Sequence, residues 1–241
     1  MCYDVAPEVD MSIRSNIAHI CSEITSAARS AGRSPDRIRL VAVSKTHPAE
    51  AVRTAFHAGQ TIFGESRVQE AEAKIDMLAE PIEWHLVGHL QSNKCRIAVQ
   101  LFEVIHAVDS LKLIRELDKR ASGLSKRQKI LLQVNVSGEQ SKFGVTPDRL
   151  PALVSAAASS DHLELKGLMT IPPFTADPES SRPYFVQLRE LAEIEIAGRG
   201  IVPAEEMELS MGMSGDFRVA VEEGATLVRV GTAIFGERNT G

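Results

Sequence analysis

Apolar, β-branched runs recur along the chain, separated by longer stretches in which apolar positions fall three and four residues apart. The runs predict strands over 38–43, 60–63, 83–87, 104–108, 129–136, 163–169, 207–209 and 226–230. The longer stretches predict helices over 48–58, 68–79, 93–101, 110–122, 147–159, 178–199 and 216–223, with a leading helix over 11–31 that ends at Gly32. Pro48, Pro147 and Pro178 suit a first helical turn, Ser110 can cap the amides that follow it, and Gly59, Gly123 and Gly224 suit C-terminal stops. Strict alternation of strand and helix implies parallel strands joined by right-handed crossovers. Eight such strands in 241 residues point to one closed, TIM-type (β/α)8 barrel with an extra N-terminal helix. The barrel is expected to span 38–238 of a single domain, 1–241, with 1–10 flexible. An open doubly wound sheet is the alternative, but no Gly-x-Gly-x-x-Gly turn follows the first strand.

Composition narrows the function classes. The chain is 44% hydrophobic, 24% charged and 5% aromatic, which is ordinary for a globular protein and excludes disorder, collagen and coiled coil. With 27 basic and 32 acidic side chains the net charge is -5, so there is no electrostatic footprint for nucleic acid. No run approaches the roughly 20 apolar residues of a membrane span. Met1 to Asp10 lack the basic-then-apolar order of a secretory signal, so a cytoplasmic protein without nucleic-acid or membrane partners is expected, as a monomer. Cys2, Cys21 and Cys95 are odd in number and widely spaced, which fits reduced, packed thiols and neither a disulfide framework nor a metal knuckle. His85 and His89 fall on a strand and the turn after it, a poor zinc pair, and no metal is expected. Trp84 is expected in the core.

Barrel enzymes carry their reactive groups at the C-terminal strand ends and often bind phosphate in the loops after strands seven and eight. The first strand delivers Lys45, followed by Thr46, His47 and Pro48. A lysine there is either a Schiff-base former or an ordinary strand-end surface residue. At a free pKa of about 10.4, on the order of one molecule in a few thousand is neutral at pH 7, so a nucleophilic Lys45 needs a site that depresses that value. After strand seven runs Leu209-Ser210-Met211-Gly212-Met213-Ser214-Gly215-Asp216, and after strand eight Gly231-Thr232, both able to turn amides and hydroxyls toward an anion. Either loop alone could equally be ordinary turn chemistry. Arg229 lies two residues before Gly231 and shares its strand face. A ligand with a phosphate, an aldehyde for Lys45 and an acceptor for Arg229 would satisfy all three, and pyridoxal phosphate fits that description.

The blocks Val41-Ala42-Val43-Ser44-Lys45, Phe63-Gly64-Glu65 with Val68-Gln69-Glu70, and Trp84-His85 with Gly88, Leu90-Gln91 and Asn93-Lys94 follow one another in order. Then come Asn135-Val136-Ser137-Gly138-Glu139 with Ser141-Lys142 and Gly144, Gly167-Leu168-Met169, Leu209 to Ser214, and Arg229 to Gly236. Together they resemble the pyridoxal phosphate homeostasis protein family, whose barrel is similar to the N-terminal domain of bacterial alanine racemase. The resemblance implies that Lys45 holds pyridoxal 5'-phosphate as a Schiff base, that Ser210, Met211, Ser214, Gly231 and Thr232 surround its phosphate, and that Arg229 faces the pyridine nitrogen. The family usually has Asn-Tyr where this chain has Ser66 and Arg67. Asn135 and Lys142 fall near the mouth, where they either line the entrance or are solvated.

A racemase needs two proton-transfer groups, one on each face of the planar carbanion. The sole tyrosines are Tyr3 and Tyr184, neither at a strand end, and five residues follow Gly236. A permanently charged Arg229 would also weaken the cofactor as an electron sink. The expectation is therefore a protein that buffers pyridoxal phosphate and delivers it, with pyridoxal phosphate-dependent apo-enzymes as possible recipients, without strong turnover. The alternatives are a weak amino-acid racemase using Lys45 with His47 or a water, and a class I Schiff-base aldolase using Lys45 and a substrate phosphate.

Overall fold

The fold was analysed in a computed structural model that describes residues 9–139 and 142–237; Cys2, Tyr3, Ser141 and Arg238 lie outside the described residues. Eight parallel strands close into a barrel in sequence order: β1 (Arg39–Val43), β2 (Ile62–Glu65), β3 (Glu83–Leu86), β4 (Val104–Val108), β5 (Gln128–Gln133), β6 (Leu163–Met169), β7 (Glu208–Ser210) and β8 (Leu227–Val230). Closure is made by β1 against β8, with Val41 opposite Arg229. Side chains alternate as a pleated strand requires. Val41, Val43, Ile62, Val87, Val104, Leu131, Met169 and Leu227 fill the interior. Their neighbours Leu40, Ala42, Phe63, Leu86, Ile105 and Val228 pack outward under the helices.

The helices are α1 (Val9–Ser30), α2 (Ala49–His57), α3 (Val68–Ile75), α4 (Cys95–Leu101), α5 (Leu111–Ser122), α6 (Leu150–Ala158), α7 (Arg182–Ala192), α8 (Phe217–Glu222) and α9 (Thr232–Phe235). In α1, Ile13, Ile17, Ile20, Ile24, Ala27 and Ala28 form one buried helical stripe. That stripe packs against α2, α8 and α9. Ser110 does cap α5, its hydroxyl accepting from the Leu113 amide at 3.4 Å.

Several boundaries differ from expectation for local reasons. Strand β5 stops at Gln133 because the chain folds back: the Asn135 amide donates to the Val145 carbonyl at 2.9 Å, and the Val145 amide to the Gln133 carbonyl at 2.8 Å. Pro147 and Pro178 open short 3₁₀ turns, Pro147–Arg149 and Pro178–Ser181, ahead of α6 and α7. The helix expected to reach 199 ends as α7 and continues as a π turn, Glu193–Ala197, closed by the Gly198 amide on the Glu193 carbonyl at 2.7 Å. Gly123 stops α5 in a right-handed conformation, at φ -64°.

One glycine sits at a slip in strand register. Between Ile130 and Leu131 the β5–β6 register slips, and Gly167 there takes φ 153°. A Cβ on it would stand 1.9 Å from the Glu208 carbonyl oxygen of β7. Gly167→Ala is expected to cost about 3 kcal/mol or more, read as a lower urea midpoint with unchanged slope. An unchanged midpoint would show that β6 and β7 separate there without cost.

Candidate functional site

Lys45 emerges from β1 into a short turn held on both sides. Ser44 is fully buried, and its hydroxyl donates to Glu65 Oε1 at 2.7 Å. Thr46 adopts φ 68°, uncommon for a threonine, and its amide donates to Glu70 Oε1 at 2.5 Å. The Lys74 ammonium on α3 joins the two sides, donating to the Ser44 carbonyl at 2.7 Å, Glu65 Oε1 at 2.7 Å and Glu70 Oε1 at 2.9 Å. The backbone on either side of Lys45 is thereby fixed from behind the barrel wall, leaving its side chain to the mouth.

At that mouth lies a cavity of about 490 Å³ whose walls include Lys45, Ser66, Ser214, Arg229, Gly231 and Thr232, within the usual range for small-molecule sites. Its walls are drawn close by glycines. A Cβ on Gly231 would stand 2.9 Å from the Val43 carbonyl, and one on Gly88 2.3 Å from the Ser66 carbonyl. His47 also faces the cavity, its ring 5.1 Å from that of Phe235. Asp216 borders it too but is turned to its own loop, where Oδ1 accepts from the Met213 amide at 2.7 Å.

Arg229 is 4% exposed. Nη1 donates to Ser210 Oγ at 2.6 Å and Nη2 to the Thr170 carbonyl at 2.8 Å. Among the described residues it forms no ion pair. Burial pushes its pKa down to about 10, the nearby Asp216 opposing, so the guanidinium stays charged at neutral pH. A buried cation without a carboxylate beside it is costly unless a ligand or a polar network compensates.

Of the seven residues expected around a phosphorylated ligand, five face this cavity: Lys45, Ser214, Arg229, Gly231 and Thr232. Two do not. Strand β7 runs one residue further than expected, so Ser210 points into the lumen beneath Arg229, where it is fully buried. Met211 then falls on the outward face, buried in the core between strands and helices, with its amide donated to the Leu227 carbonyl at 3.1 Å. Ser66 borders the cavity, whereas Arg67 is exposed.

The remaining candidates separate cleanly. Trp84 is buried against Phe63, ring centroids 5.8 Å apart. His85 lies in the barrel lumen while His89 stacks on Phe143 at 3.9 Å, and no metal-binding cluster occurs among the described residues. Asn135 shapes its own loop, accepting from Ser137 Oγ and from the Gly138 amide, both at 3.1 Å. Lys142 Nζ lies 3.5 Å from Glu139. Tyr184 packs on the core from α7. Among the described residues no helix is long and apolar enough to cross a membrane. Sequence reasoning missed Asp216, the exposed Phe174 at the cavity rim, and the Glu65–Glu70–Lys74 brace.

Comparison with known proteins agrees with this architecture. The family model for the alanine racemase N-terminal domain matches residues 15–239. The pyridoxal phosphate homeostasis protein of Pseudomonas aeruginosa is 46% identical over 232 residues, covering 95% of this chain and 97% of that one. PipY of Synechococcus elongatus, solved with pyridoxal phosphate bound, is 40% identical, with a TM-score of 0.81 over 93% of this chain and all of its own. Alanine racemase of Clostridium difficile, at 13% identity and a TM-score of 0.71, shares the barrel fold over 57% of its own length.

Proposed function

The chain belongs to the pyridoxal phosphate homeostasis protein family, and from that premise we propose that it binds pyridoxal 5'-phosphate through Lys45 to buffer or deliver it, without strong turnover. The residues that would hold it are Lys45 for the aldehyde, Ser214, Gly231 and Thr232 for the phosphate, and Arg229 for the ring nitrogen. The observation that carries this reading is that an amine from β1 and a buried guanidinium from β8 share one cavity with these hydroxyl and glycine groups. Their chemistry matches the ligand's: hydroxyl and amide donors for an anion, a nucleophile for a carbonyl, and a fixed donor for a ring acceptor. Once bound, the cofactor supplies an aldehyde carbon open to reversible attack by an amine.

The protein's part is to orient and to tune. A guanidinium facing the ring nitrogen cannot give up its proton readily, which disfavours a protonated pyridine and argues for holding over turnover. Ser210 would support Arg229 from below, and Met211 would support the loop from outside. A monomer in the cytoplasm, passing the cofactor to apo-enzymes, is the working form this reading favours.

The test uses purified protein mixed with pyridoxal phosphate. A yellow species bleached by borohydride, with no deuterium exchange at Cα of added amino acids, is the expected result. Exchange would favour the racemase reading, for which His47 on the cavity wall is the available second group. A colourless protein that borohydride traps only with a phosphorylated carbonyl substrate would favour the aldolase.

A further inference from the structure

Below the cavity the barrel lumen holds polar groups among its apolar filling. From Arg229 a single file of hydrogen bonds descends to the opposite mouth. Arg229 Nη1 meets Ser210 Oγ at 2.6 Å, Ser210 Oγ meets His106 Nδ1 at 2.9 Å, His106 Nε2 meets His85 Nδ1 at 2.9 Å, and His85 Nε2 meets Glu83 Oε1 at 2.8 Å. Ser210, His85 and His106 are fully buried. None of the four groups below Arg229 faces the cavity.

Both ends of this file have fixed polarity. A guanidinium can only donate and a carboxylate can only accept. If Glu83 accepts, His85 carries its proton on Nε2 and offers Nδ1. His106 then carries its proton on Nε2 and offers Nδ1, and the Ser210 hydroxyl donates downward while its oxygen accepts from Arg229. Every polar atom is satisfied only when both imidazoles are neutral and all donors point toward Glu83. We propose that Glu83 acts through His85, His106 and Ser210 as the remote counter-charge of Arg229, setting how strongly that guanidinium acts on the ligand beside it. The last step rests on pyridoxal phosphate being that ligand. Aligned hydrogen bonds in a low-dielectric lumen polarise one another, so a carboxylate at one end strengthens the acceptor at the other.

The ionisation states agree. Burial holds His85 below its ordinary value, Glu83 only partly offsetting it, and holds His106 well below, with the neighbouring His85 and Arg229 adding to the effect. The bond from His85 keeps the Glu83 carboxyl below its usual range against the opposing effect of burial, with Arg39 and Lys129 acting in the same direction as His85. Other charges face the file: Arg39 lies 3.7 Å from Glu83 and 2.7 Å from Glu208, and Asp216 acts on Arg229 from above. Glu83, His85, His106 and Ser210 are thus positioning residues.

Long-range proton–nitrogen NMR of the wild-type protein without cofactor tests the polarity. His85 and His106 should both be neutral with the proton on Nε2; an Nδ1 proton on either, or a doubly protonated ring, overturns the relay. The functional half is read on the loaded protein as the pH at which the long-wavelength band of the bound cofactor is lost. Glu83→Gln removes a negative charge and should move that midpoint down by about half a pH unit, with the borohydride-trapped adduct on Lys45 unchanged. In a Ser210→Ala background, the same substitution should move it no further. No shift with Ser210 present, or an undiminished shift without it, overturns the proposal. Absence of any band or adduct in the wild type would instead count against the cofactor reading, while the imidazole spectrum still judges the relay's polarity.

Discussion

Lys74→Met is expected to lower the stability of the fold by about 3–5 kcal/mol at neutral pH, the range found when one partner of a buried ion pair is removed. The side chain of Lys74 is 8% exposed and that of Glu65 is fully buried. The ammonium spends its three protons on Glu65, Glu70 and the Ser44 carbonyl. Methionine fills a similar volume but leaves the Glu65 charge without its cation. Burial already raises the Glu65 carboxyl, with Lys74 and Ser44 pulling it back. In the variant that restraint is gone and the folded-state value rises further above the unfolded one. The folded state then binds more protons than the unfolded state as pH climbs from the carboxylate range, so stability falls with rising pH. Urea midpoints measured from pH 5 to pH 8 should therefore show a deficit that widens with pH. A deficit independent of pH would mean that Glu65 is not the stranded charge.

Lys45→Ala should remove the visible band and every trace of borohydride-trapped adduct. Lys45 projects toward the cavity, and the bonds that hold its turn belong to Ser44 and Thr46. Lys45→Arg separates the amine from the charge, since a guanidinium cannot serve as the nucleophile at neutral pH. It should match Lys45→Ala in losing the adduct. An adduct that persists in both variants would move the attachment point to another lysine.

The barrel was legible because each strand carries apolar residues on the side that faces the helices and each crossover carries a helical stripe, patterns that depend on burial alone. Arg229 and Gly231 were legible from period two, and both do face the cavity. Ser210 and Met211 fall away from the cavity lining: a run of small residues after Leu209 reads as loop, whereas pairing of β7 with β6 carries the strand through Ser210. One further strand residue turns Ser210 into the lumen and Met211 outward. The Lys74 brace had only a weak local signal in Glu70, four residues earlier on α3, because its other partners, Ser44 and Glu65, come from β1 and β2. The lumen file was illegible for a similar reason: Glu83 and His85 share a strand face, but His106, Ser210 and Arg229 meet them only when the barrel closes.

The central claim is that Lys45 is the attachment point for pyridoxal phosphate, and peptide mapping by mass spectrometry after borohydride reduction of the loaded wild-type protein tests it most directly. A pyridoxyl group on the peptide containing Lys45, at near-full occupancy, is the predicted result; an unmodified Lys45, with no adduct or with the adduct on another lysine, would contradict it.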